Sequence, residues 1–294
     1  LSRYSIKDLE NLSGIKAHTL RMWEKRYAVL TPMRTETNIR FYDESQLKKL
    51  LNISLLIESG FKISKISQWS QAEINKQIES VFKDQNALED QAIENKINGL
   101  IISMIDMDEG KFSSIYNTSI QKRGFLETIL QVIFPFLERV GFMWGINQIS
   151  PAEEHFISNL IRQKIISAID GQEVEFTQNK TFLLYLPQDE HHELGLLISN
   201  YLIRERGYKT YYFGQDVPYN DLIGAVEMCQ PDYILTFAVT SLTSTNVVEY
   251  TKNLSNAFQD KIIVLSGRSE VFNGQSFPEN VKQNTTPSNL LELL

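Results

Sequence analysis

A multidomain α and α/β chain is predicted: a winged helix-turn-helix, then a four-helix bundle, then a doubly wound parallel α/β sheet. Three observations predict this order. A basic opening stretch holds short amphipathic helices separated by glycine and polar turns. Four helical stretches then run from Asn95 to Ile169. From Lys180, short apolar runs of strand character alternate with helical segments. The 294 residues suit two or three domains at roughly 150 residues each. With 42% hydrophobic and 22% charged residues, the chain is too apolar for general disorder.

Several classes are excluded at once. A spanning helix needs about 18 apolar residues, and the nearest candidate is broken by Pro135, Glu138 and Arg139. The opening residues LSRYSIKDLE lack the apolar core of a signal peptide. One cysteine, Cys229, rules out an internal disulfide framework and a multi-cysteine zinc or iron–sulfur site. A cytoplasmic protein with no membrane partner is therefore expected. The net charge of −7 hides a division: residues 1–70 carry 12 basic and 7 acidic side chains, and the remainder carries 17 and 29. A basic head on an acidic body points to a polyanionic partner for the head alone.

In YSIKDLENL, Ile6, Leu9 and Leu12 share one face of a short helix, and Ser13-Gly14 ends it. The next helix, KAHTLRMWEKRY, turns Leu20 and Trp23 inward and His18, Thr19, Arg21 and Lys25 outward. A helix, a glycine turn and a basic second helix make the helix-turn-helix pattern, although many helical hairpins share it. MRTETNIRFY then reads as two short strands around a turn near Glu36-Thr37-Asn38, with Arg34 and Arg40 on opposite arms. A further helix begins at Asp43.

Over residues 4–66 the segment resembles the MerR family of transcription regulators. The likeness rests on YSIKDLENLSGIKAHTLRMWEKRY, the wing RTETNIRFYDESQLKKL and LLIESGFKISKI. It implies a double-stranded DNA partner at a promoter or operator. His18, Thr19 and Arg21 would lie against base edges or phosphates, and Arg34 and Arg40 would grip phosphates from the wing with help from Tyr27 and Tyr42. Trp23 and Phe41 are expected in the core.

Residues 71–91 are polar with sparse apolar positions and suit a connecting helix and linker without a sustained heptad. The bundle is placed at 92–176. Ser150, Pro151 and Glu153 form a capping box at the start of its last helix. Trp144 closes the preceding helix, and after nine intervening residues Glu154-His155 opens the next, bringing an aromatic plate, a carboxylate and an imidazole to one end of the bundle. On residue type alone, Trp144 reads as core and His155 as surface.

The last domain, 177–294, has strands TFLLYLP, KTYYFG, YILTFAV and KIIVLSG. Ligands of such sheets sit at the carboxyl ends of the strands. No glycine-rich dinucleotide fingerprint follows the first strand; PQDEHHELG stands there, with Glu190, His192 and Gly195 spaced E-x-H-x-x-G. His192 can reach a ligand outside the sheet, Glu190 can fix its tautomer, and Gly195 leaves room over the helix start. One histidine cannot hold free zinc, so a metal would arrive already caged. His191 is the rival ligand.

The E-x-H-x-x-G pattern resembles the cobalamin-binding module, in which the histidine is the lower axial ligand of cobalt. The W-x(9)-E-H bundle resembles the cap over the upper face in MerR-type cobalamin photoreceptors. The resemblance implies adenosylcobalamin or methylcobalamin as cofactor, His192 on cobalt, and Trp144, Glu154 and His155 around the upper ligand. That family usually has S-x-L or S-x-T after the third strand and Gly-Gly after the fourth, holding the nucleotide tail. The corresponding places here read Phe237-Ala238-Val239, or the nearby Thr240-Ser241-Leu242, and Ser266-Gly267. Thr240 or Ser241 would supply the hydroxyl. Light-sensing relatives can carry a histidine immediately after the bundle tryptophan; this chain has Gly145.

The expectation is a cobalamin-sensing, DNA-binding transcription regulator and not an enzyme. It would work as a homo-oligomer, dimer or tetramer, with RNA polymerase as a possible further partner. The alternative keeps the DNA head but gives the sensory domain another ligand or partner, because the tail-holding elements are degenerate.

Overall fold

The computed structural model describes residues 3–35, 38–83, 89–145, 149–173, 175–239, 246–267, 269–285, 289–290 and 292. Contacts divide it into two compact units, 1–157 and 158–294, with the division inside the helix Pro151–Asp170. The expected head thus shares a unit with the expected bundle only up to residue 157, the head helix Glu44–Glu58 packing on the bundle helix Glu89–Ile105.

In the first unit, α1 (Ile6–Ser13) is fixed by a capping box: the Asp8 N–H donates to Ser5 Oγ at 3.2 Å and the Ser5 N–H to Asp8 Oδ2 at 2.7 Å. Gly14 ends it at φ 71°, a left-handed conformation natural to glycine. On α2 (Ala17–Tyr27), Leu20 and Trp23 are buried as expected. Strands β1 (Met33–Arg34) and β2 (Arg40–Phe41) pair antiparallel, placing Arg34 directly opposite Arg40. Of the expected turn, Glu36 and Thr37 lie outside the described residues, and Asn38 is left-handed at φ 64°. Helix α3 (Glu44–Glu58) starts beside Asp43, whose Oδ1 accepts from the Gln46 N–H at 3.0 Å. It packs on α4 (Ile63–Ile66), on α5 (Gln71–Lys83), which buries Ile74 and Ile78, and on α6 (Glu89–Ile105).

Four helical stretches follow as expected: α6, α7 (Glu109–Thr128), α8 (Phe134–Gly145) and α9 (Pro151–Asp170). Gly124 interrupts α7 at φ 79° and ψ 174°. A π turn, Ile129–Ile133, leads into α8, and the Phe134 N–H reaches back to the Ile129 carbonyl. The next residue is Pro135, which has no N–H to donate and would crowd an ordinary α turn; the wider turn accommodates it. The capping box before α9 is present: the Ser150 N–H donates to Glu153 Oε2 at 2.7 Å and the Glu153 N–H to Ser150 Oγ at 3.3 Å.

The second unit contains β3 (Thr181–Pro187), α10 (Leu194–Glu205), β4 (Lys209–Val217), α11 (Tyr219–Cys229), β5 (Tyr233–Ala238), α12 (Val247–Ala257), β6 (Ile262–Gly267), α13 (Ser269–Phe272) and β7 (Val281–Asn284). All five strands are parallel, in the order β4-β3-β5-β6-β7. Sequence reasoning missed β7, since VKQN has no apolar run and buries only its two ends. Leu183, Tyr185, Ile234, Ile263 and Leu265 pack in one core with Leu222 and Val226 of α11 and Leu254 of α12. The alternate residues Phe182, Leu184 and Leu186 are also buried, so both sheet faces are covered. The strand order changes direction between β3 and β5, which makes their carboxyl ends, at Pro187 and Ala238, the switch point of the sheet.

Ser150→Ala is expected to cost about 1 kcal/mol through the lost cap. The checks are a lower thermal midpoint and faster hydrogen exchange confined to the first turn of α9.

Candidate functional site

The loop leaving β3 at the switch point carries the first constellation. Glu190 is completely buried, and its Oε1 accepts the His192 backbone N–H at 3.0 Å and contacts His192 Nδ1 at 2.6 Å. A buried carboxylate requires such donors. Because an ionised carboxylate only accepts, the ring proton sits on Nδ1, and Nε2 is the basic nitrogen. The His192 side chain is 58% exposed. The contact with Glu190 is made by His192, while the neighbouring His191 is exposed.

Glu193, one residue on, is also buried. Its carboxylate takes Arg162 Nε of α9 at 2.7 Å and the Tyr212 hydroxyl of β4 at 2.8 Å. Burial first, and then the adjoining carboxylate, push the Tyr212 hydroxyl far above its usual pKa and keep it a donor. Sequence reasoning missed this trio, whose members lie 31 and 19 residues apart and share no local pattern. The only available hint was a third acid in a loop that also holds two histidines.

Two expectations for the sheet need correction. Gly195 does not border open room: a Cβ there would lie 2.7 Å from Cε1 of Phe237, so the Phe237 ring fills the space. Gly267 is likewise committed to the fold, since a Cβ would lie 2.7 Å from the Ala238 carbonyl oxygen and 3.0 Å from the Phe272 ring. Thr240 and Ser241 lie outside the described residues.

In the first unit, Trp144 is 47% exposed near the end of α8, against the core placement its residue type suggested. Glu154 and His155 meet through Oε2 and Nδ1 at 2.6 Å, and the imidazole is exposed. The bundle thus presents an aromatic surface beside one helix end and a carboxylate–imidazole pair in the first turn of the next.

On the head, His18 and Arg21 are exposed on α2, and Thr19 and Tyr27 are half-buried. Arg34 and Arg40 face each other across the wing as like charges, an arrangement that favours a bound polyanion. Arg34 Nη1 donates to Asn38 Oδ1 at 2.6 Å, and Arg40 Nε lies 3.7 Å from Glu24. Tyr42 must be withdrawn as a phosphate ligand. It is fully buried, its backbone bridges Tyr4, and burial followed by the charge of Glu24 pushes its hydroxyl up to about 12. Its role is to anchor the wing.

Residues 4–73 match the family described as MerR HTH family regulatory protein, and residues 96–167 match the family described as B12 binding domain. The chain joins a MerR-type head to a B12-binding domain. The HTH-type transcriptional repressor CarH of Myxococcus xanthus is 24% identical over 280 residues, spanning 95% of this chain and 93% of CarH. The repressor CarA of the same organism is 26% identical over 238 residues, 78% of this chain and 74% of CarA. A monomethylamine corrinoid protein of Methanosarcina barkeri has a similar fold: TM-score 0.53 and 9% identity, covering 66% of this chain and 94% of that one.

The MerR–B12 architecture raises the question of whether these residues suit a cobalamin. At the metal they do: His192 offers one exposed imidazole with its tautomer fixed from below. Beside Gly195 the fit requires Phe237 to turn aside. No helix among the described residues is long and apolar enough to cross a membrane.

Glu190→Ala is expected to destabilise the second unit by roughly 1–3 kcal/mol, since two donors lose their acceptor. Ring 15N NMR of His192 should change from the Nδ1–H form to a tautomer mixture; an unchanged spectrum would contradict this account.

Proposed function

We propose that the chain is a transcriptional regulator that binds DNA through its MerR-type head and senses a cobalamin through the remainder. The observation that carries this reading is the Glu190–His192 pair at the sheet's switch point. His192 would hold the cobalt, with Glu190 keeping a proton on Nδ1 so that Nε2 is the nitrogen offered to the metal, and the Glu193–Arg162–Tyr212 trio holding the loop in place. Trp144, Glu154 and His155 would border the upper ligand. Thr240, Ser241 and the surroundings of Gly195 would border the tail once Phe237 has turned, and Gly267 would remain a packing position. Bound adenosylcobalamin, the form we favour over methylcobalamin, supplies a cobalt–carbon bond that light can break. Gly145 would offer no imidazole to the cobalt.

On the head, Arg34 and Arg40 hold phosphates while His18, Thr19 and Arg21 face the groove, with Tyr27 beside them. Paired heads on a pseudo-palindrome require at least a dimer, and a tetramer satisfies the same geometry. Cobalamin binding and oligomeric state are linked, so either shifts DNA affinity and any contact with RNA polymerase. The protein acts in the cytoplasm and catalyses no reaction in this reading.

A second reading, in which the sensory domain takes a different ligand, is favoured by one observation: Phe237 fills the room beside Gly195.

Protein mixed in the dark with adenosylcobalamin and desalted should keep its colour, His192→Ala should lose it, and Phe237→Ala should keep more. Colourless wild-type protein would hand the lead to the second reading. For the head, Arg34→Ala should weaken binding to all DNA sequences alike and lower the salt slope by about one. A loss confined to one base position in a salt-series shift assay would argue against a phosphate contact.

A further inference from the structure

A cavity of about 890 Å3 lies between α3 of the head and α6 and α7 of the bundle, within the first unit. Lys48, Lys49, Lys96, Lys111, Ser114 and Thr118 line it. The two carboxylates on its wall are already engaged. Asp106 pairs with Lys48, which also lies 3.2 Å from Glu44, and Asp108 accepts the Lys111 backbone N–H at 2.9 Å as the cap of α7.

Lys96 has no such arrangement. Its side chain is buried, with the residue only 7% exposed, and Nζ has no hydrogen-bond partner among the described residues. Among the described residues the charges that act on it are the cations Arg123 and Lys122; with burial as the larger cause, they bring its ammonium down to about 8. Burial also lowers the Lys111 ammonium, against the pull of Asp106 and Asp108. A buried ammonium near other cations is costly, and an anion bound beside it would relieve that cost. Three lysines not committed to Asp106 or Glu44, together with two hydroxyls, match an anion with several oxygens better than a single carboxylate. Among the described lining residues none is aromatic, so these offer no stacking surface for a base.

We propose that this cavity binds a small organic phosphate, with Lys96 as its principal anchor. Because α3 belongs to the DNA-binding head and α6 and α7 to the bundle, an occupant would stiffen the join between them and give the head a second input. This inference does not depend on the cobalamin reading.

The test uses the full chain without DNA or cobalamin. Thermal midpoints are measured with inorganic phosphate, ribose 5-phosphate or citrate, each against potassium chloride of matched ionic strength. Both phosphates should raise the midpoint above chloride, with ribose 5-phosphate the more effective. Lys96→Met should abolish the difference, whereas Arg34→Ala/Arg40→Ala, which removes the wing cations, should keep it. Lys111→Met, expected to reduce the shift, serves if Lys96→Met does not fold. Equal midpoints in phosphate and chloride would overturn the site. So would a shift that survives the lysine substitutions or vanishes with the wing arginines. Stabilisation by citrate alone would overturn the assignment to phosphate.

Discussion

The second unit depends on keeping the charge of Glu190 satisfied in a place that water does not reach. A carboxylate without exposed surface has to find its donors in the protein, and here two of them come from one residue two positions along the chain. That requirement holds the loop after β3 in shape while the His192 side chain stays 58% exposed. Glu193 adds a second buried carboxylate at the same bend, satisfied by Arg162 and Tyr212. Two acids with fixed partners make this loop a rigid mount rather than a solvated turn. Rigidity of this kind is what holding a ligand at the switch point of a parallel sheet requires.

Different electrostatics govern the first unit. Arg34 and Arg40 oppose each other on the wing, and Lys96 is buried among cations. Both arrangements leave positive charge incompletely answered by the protein, one at the surface and one inside. The surface pair suits a long polyanion such as a nucleic-acid backbone, while the enclosed lysine suits a small one. Helix α3 belongs to the head and also lines the cavity that Lys96 borders.

Much of this was legible in the sequence, and the limits have physical causes. The helices of the head and bundle announced themselves by apolar spacing and by caps such as Ser150–Glu153, because those signals are local. The three inner strands β3, β5 and β6 were legible because burial on both faces demands continuous apolar runs, and the edge strand β4 was legible from the aromatic run KTYYFG. The edge strand β7 needs no such run and escaped notice. In the site, Glu190 and His192 were found because two residues of separation is a local pattern. Phe237 filling the space beside Gly195, Tyr42 turning inward, and Arg162 reaching Glu193 are tertiary facts that no spacing rule encodes. Trp144 went the other way: a large aromatic residue in an apolar helix looks like core, yet it stands half in solvent.

The outward stance of Trp144 can be traced to the π turn before Pro135. An α-helix advances about 100° per residue, so the one additional residue in a π turn rephases everything downstream by about that angle. Shorten that turn by a residue, and Trp144 would inherit the direction of Met143, which is fully buried. The extra residue that makes room for a proline therefore also works as an angular offset. It decides which side of the last ten residues of the helix looks at solvent, and it converts a tryptophan from filling into a surface.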